Sequence, residues 1–146
     1  MKWLGVSFVM FLGLALFPQS AGEHIQHPVS YIEEVEGDTS HAPYKVQFID
    51  LDKYQSIGAY ENTFTTVPDN GNKLTVKVRN RNSSGTVILN VYRGTEEFGY
   101  MDVKAGREGI RTFVMNDGSG VTGDWKVYTT TRDGHVMNLQ VQAGQH

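Results

Sequence analysis

The chain of 146 residues contains no cysteine. That absence removes disulfides, thiol nucleophiles, thiolate metal sites and a lipid-modified cysteine anchor together, so stability has to come from a packed core. Helical patterning is missing too. Beyond the first 22 residues, no run of ten or more repeats apolar side chains at helical spacing, and the 16 glycines and many β-branched residues press the same way. There is no glycine-rich phosphate loop, no histidine zinc motif and no basic patch, which argues against nucleotides and nucleic acid as ligands.

The only long apolar run stands at the start. Lys2 supplies one positive charge, Trp3 to Phe17 is uncharged and mostly apolar, and Pro18 is followed by the small residues Ser20, Ala21 and Gly22. This is the order of a secretory leader, and the run is shorter than the roughly 18 to 20 residues that span a bilayer. Small side chains at Ser20 and Gly22 place the cut after Gly22, with a cut after Ala21 as the second choice. Removing residues 1–22 leaves about 124, with 12 basic against 16 acidic residues and a formal charge of -4. The expected location is extracellular. A mildly acidic surface argues against nucleic acid and anionic membranes as partners, and 124 residues suffice for one domain.

Residues 23–43 carry Glu33, Glu34, Glu36 and Asp38 with no lysine or arginine, and they include Pro28, Gly37 and Pro43. This reads as a flexible acidic arm holding one short strand at Val29 to Val35. From Tyr44 to His146 the pattern changes to short alternating segments between turn residues. In Leu74 to Arg79, Leu74, Val76 and Val78 alternate with Thr75, Lys77 and Arg79, and in Thr86 to Tyr92 the residues Val87, Leu89 and Val91 share one face. The turn-rich link Asn80 to Gly85 makes these two a hairpin by rule. Tyr44 to Ile49, Gly58 to Phe64, Phe98 to Val103, Gly109 to Met115, Asp124 to Thr131 and Val136 to Val141 follow the same logic. The last two are expected to form a second hairpin around Asp133-Gly134. Eight short strands without a helix predict an all-β, antiparallel two-sheet β-sandwich, resembling immunoglobulin-like and fibronectin-like domains but without their cysteine pair.

Three groups of residues could carry function. Asn116-Asp117-Gly118-Ser119-Gly120, followed by Asp124, offers three oxygen-bearing side chains to calcium, although the same residue types build a tight turn. Asp50 and Asp52 offer a second oxygen pair at the end of the first domain strand. At the N-terminus, a cut after Ala21 would give Gly22-Glu23-His24, an amine and a third-place histidine able to chelate copper, with His27, His41 and His146 as further nitrogens. The aromatic group is Trp125, Tyr128, Tyr92, Tyr100, Tyr54 and Tyr60. A flat ring with polar neighbours can stack on a sugar, and here Tyr128 is flanked by Lys126 and Thr130, with Arg132 just beyond. Trp125, in register with Val127, has the spacing of a core residue.

Support for catalysis is thin. His135 is the only histidine inside the strand region, Gly118-Ser119-Gly120 lacks the five-residue nucleophile elbow, and the neighbours Glu96 and Glu97 would face opposite sides of a strand. Asn82-Ser83-Ser84 matches the glycosylation pattern in a loop. The leading expectation is a secreted, non-catalytic module for an extracellular protein or glycan. The alternatives are a small metal-assisted hydrolase and a self-associating structural sandwich.

Overall fold

The computed structural model describes residues 28–35 and 44–146; the expected leader, most of the expected arm and with it His24, His27 and His41 lie outside the described residues. Among the described residues no helix is long and apolar enough to cross a membrane. The strands are β1 (Val29–Val35), β2 (Val46–Ser56), β3 (Tyr60–Thr66), β4 (Leu74–Asn80), β5 (Val87–Arg93), β6 (Glu96–Val103), β7 (Glu108–Met115), β8 (Gly123–Thr130) and β9 (Met137–Gln145). One turn of 3-10 helix, Pro68–Asn70, interrupts them.

They form two antiparallel sheets, a five-stranded one in the order β1-β7-β4-β9-β2 and a four-stranded one in the order β3-β8-β5-β6. The all-β sandwich is the class the alternation demands. Within that class the connectivity is not the immunoglobulin one. From β2 onward the chain passes to the opposite sheet at every link except β5 to β6, which gives β2-β9-β4-β7 facing β3-β8-β5-β6. That order is a jelly roll, with β1 added at one edge.

The two expected hairpins are therefore corrected. β4 and β5 lie in different sheets, as do β8 and β9. Their apolar rows face each other across the core instead of lying side by side. Leu74, Val76 and Val78 are closed off from water together with Val87, Leu89 and Val91, and Trp125 and Val127 together with Met137, Leu139 and Val141. A turn-rich link permits a crossing as readily as a hairpin. The Asn80 side chain bridges the first crossing, donating to the carbonyls of Gly85 and Val103, both at 3.0 Å. Among the described residues the one hairpin between neighbouring strands is β5-β6, where Gly94 takes a left-handed φ of 60°. β2 also runs past Ile49 to Ser56, so Asp50 and Asp52 stand inside a strand; two register breaks against β9 absorb the irregular stretch.

The anticipated strand at Val29–Val35 exists and pairs with β7 over seven consecutive positions. Tyr31 anchors it: its ring meets Phe98 and Phe113 at 5.7 and 5.4 Å, and its hydroxyl donates to the Phe98 carbonyl at 2.8 Å. At the far end of the chain the fully buried Gln145 amide donates to the carbonyls of Val67, Gly71 and Val121. These bonds tie the β3-β4 and β7-β8 loops to the last strand. Gly144 makes room for Tyr44, since a Cβ there would stand 2.3 Å from the ring.

Candidate functional site

The outer face of the four-stranded sheet gathers the residues with binding chemistry. Alternation sends Trp125, Val127 and Thr129 of β8 into the core and leaves Lys126, Tyr128 and Thr130 outside. Register then sets three rows across β6, β5 and β8: Glu97-Tyr92-Lys126, Tyr100-Asn90-Tyr128 and Asp102-Ile88-Thr130. Glu61 and Thr63 of β3 continue the second and first rows.

Each row has its own chemistry. In the first, the Lys126 ammonium lies 4.6 Å from the Tyr92 ring centre, a cation-π contact that joins the two side chains. The Tyr92 phenol is pushed above its ordinary range by burial, and further by its hydrogen bond to Glu97 and the negative charge there. In the middle row Tyr100 is 65% exposed, Tyr128 is half-buried, and the Asn90 amide between them is completely buried. That amide donates to Tyr92 Oη at 3.3 Å and to Glu97 Oε2 at 2.5 Å, cross-linking the first two rows. In the third row the Arg132 guanidinium reaches back from the β8-β9 link to Asp102 at 3.2 Å, fencing one end of the face. A depression of about 450 Å³ beside Thr63, Thr65, Asp124 and Lys126 extends the other end.

Tyr128, Lys126 and Arg132 thus share one face, as their spacing suggests. Trp125 does not. It is 1% exposed, its indole N–H donates to Thr66 Oγ1 at 2.9 Å, and its ring packs on Phe113 at 5.0 Å, so it cannot offer a stacking surface. Tyr54 and Tyr60 pack edge to face at 5.2 Å, away from the three rows. Asn90 and Glu97 have no local sequence signal that marks them as site residues, because only cross-strand register brings them beside Tyr92.

The oxygen-rich loop is a turn. Asp117 Oδ1 accepts from the backbone N–H of Ser119 at 3.0 Å and from its hydroxyl at 2.6 Å, while Gly118 adopts a φ of 79°. Asn116 Oδ1 accepts from Ser30, and Asp124 Oδ1 accepts from Thr65 at 2.7 Å. Asp52 faces Arg81 at 3.4 Å, and Asp50 accepts from Gln142 at the same distance. No group of three His, Asp or Glu side chains that could hold a metal converges among the described residues. His146 is bonded to Thr75 Oγ1 at 3.0 Å.

One further concavity, about 530 Å³, opens at the end of the sandwich between Arg81, Ser83, Ser84, His135 and Asn138. There His135 Nδ1 lies 2.5 Å from Asp133 Oδ1, a pairing that holds the Asp133 carboxyl below its usual range. The other ring nitrogen, Nε2, is buried against Gly85, 2.8 Å from where a Cβ would stand. A serine nucleophile needs that nitrogen as its base, and here it is covered by backbone. The Asn82 amide donates to the Val136 carbonyl at 2.8 Å.

No family model matches the chain, and no curated protein does. Among solved structures it is similar to the crystal structure of the Yersinia pseudotuberculosis-derived mitogen, at 13% identity over 83% of this chain and 88% of that one, with a TM-score of 0.40. The likeness is too loose to carry an argument about function.

Proposed function

We propose that this chain is an exported, non-catalytic binding module that engages extracellular glycans across the outer face of β6, β5 and β8. The observation that carries the reading is the middle row. Tyr100 and Tyr128 flank a buried amide, with Glu97, Lys126, Thr130 and the Asp102-Arg132 pair around them. Sugar rings offer C–H groups to aromatic faces and hydroxyls to nearby carboxylates and cations, and this face supplies both kinds of partner. The only aliphatic side chain in the three rows is Ile88, and it is 6% exposed, so the contact surface of the face is aromatic and polar.

Tyr100→Ala and Tyr128→Ala, tested on a glycan array, are expected to abolish binding that the unaltered protein shows. Because Tyr100 is exposed, its loss should change folding stability by no more than about 0.5 kcal/mol. An array without signal would overturn the glycan reading. Retained binding by both variants would move the site elsewhere.

A further inference from the structure

A sandwich that is not closed has four edges, here β1 and β2 of one sheet and β3 and β6 of the other. Exposed edge strands invite pairing with other chains, and proteins blunt them with bulges, charge, lysine or proline. Three of these edges carry such devices. β2 breaks register twice against β9 and includes Lys53. β6 breaks register against β5 and carries Glu96, Glu97 and Asp102. β1 is entered directly from the exposed Pro28.

β3 carries almost none. Tyr60–Thr66 pairs with β8 over seven consecutive positions without a break, so the strand is regular from end to end. It has no proline and no lysine, and its single charge is Glu61. Glu61, Asn62, Thr63 and Thr65 are all exposed. Among the described residues, β8 is its only neighbour in the sheet.

We propose that β3 is the seam of a homodimer, in which β3 of two copies pair antiparallel about a two-fold axis at Thr63. The occupant is a second copy because the strand is self-complementary in that register. With Thr63 opposite its own copy, Tyr60 meets Thr66, Glu61 meets Thr65 and Asn62 meets Phe64, so all seven residues are used and the one carboxylate never faces itself. Cross-strand threonine pairs are favourable, whereas like charges directly opposite are not.

The pairing joins two four-stranded sheets into one continuous sheet. A two-fold axis between antiparallel strands is perpendicular to the sheet, so the outer face of each copy lies on the same side. The two β8 strands then run about 14 Å apart, three strand spacings, with a tyrosine face beyond each. This consequence rests on the binding reading above; the dimer itself does not. If both hold, a repeating glycan meets two faces at once and gains avidity without a new contact.

Sedimentation velocity of the mature chain over a wide concentration series tests the seam without any glycan. The expected result is a concentration-dependent species of twice the monomer mass. Two lysine substitutions on the same edge should then act in opposite directions. Thr63→Lys sets ammonium against ammonium on the axis and should weaken the dimer about tenfold, while Thr65→Lys faces the partner copy's carboxylate and should tighten it about fivefold. Melting curves of both variants check that each stays folded, since within one chain Thr63 stands opposite Lys126 and Thr65 donates to Asp124. A wild type that stays monomeric at every concentration, or two lysines that shift the equilibrium the same way, would overturn the proposal.

Discussion

At the scale of single residues, position relative to the pleat decides everything on β8. Trp125 and Lys126 are neighbours, yet one is sealed among Phe98, Phe113 and Arg93 and the other lies over Tyr92 on the outer face. Trp125→Ala should therefore cost about 4 kcal/mol, the lost transfer energy plus a cavity the surrounding rings cannot fill. Trp125→Phe should cost less, keeping ring contacts but leaving Thr66 Oγ1 without its indole donor. Urea unfolding followed by circular dichroism checks both, because either substitution also removes the only tryptophan fluorophore of the strand region. A cost below about 1 kcal/mol for the alanine variant would contradict the burial. The alternation of Trp125 and Val127 with Lys126 and Tyr128 makes this burial legible in the sequence. The partnership of Asn90, Tyr92 and Glu97 is not legible there, since a register break between Asn90 and Tyr92 changes which β6 residue stands opposite.

At the scale of elements, β1 shows what composition can and cannot say. Its surroundings are acidic and low in hydrophobicity, so the segment reads as an arm, but Val29 and Tyr31 pack on the core cluster from the edge of the sheet. Tyr31 also lies 4.8 Å beneath the Arg111 guanidinium, which is 1% exposed and donates to the Gly99 carbonyl at 2.7 Å. Deleting everything before Tyr44 uncovers that charge and removes two apolar anchors. The expected loss is about 3 kcal/mol, combining half-burial of two side chains with the cation-π contact. Thermal melting of a chain beginning at Tyr44 measures it; an unchanged midpoint would make β1 dispensable. The same scale explains why the strands are legible in the sequence and their partners are not. Period-two patterning assigns each strand an inner face, but facing rows in a jelly roll and adjacent rows in a hairpin produce the same pattern. Only the crossing of each link between sheets, bridged here by groups such as the Asn80 amide, distinguishes them.

At the scale of the whole molecule, the fold couples its stability to alkaline pH through tyrosines in separate places. Tyr44 packs over Gly144, and burial, then the nearby Glu108 carboxylate, raises its phenol above the ordinary value of 10.0. Tyr60 is raised chiefly by burial, against a lowering hydrogen bond from Asn62, and Tyr92 by burial and then Glu97. In each case the folded chain holds its proton more tightly than the unfolded chain. The native state thus binds more protons once the unfolded phenols begin to ionise, and stability falls as pH rises. The contribution is fully present below the ordinary tyrosine value and is lost as pH climbs through the raised folded values. Melting temperature should be flat from about pH 7 to 9 and decline above about 10. Replacing Tyr44, Tyr60 and Tyr92 together by phenylalanine should flatten that alkaline decline, because a ring without a hydroxyl has no proton to lose. A decline equally steep in the triple variant would assign it to the lysines instead, and the tyrosines would then act in packing and ligand contact alone.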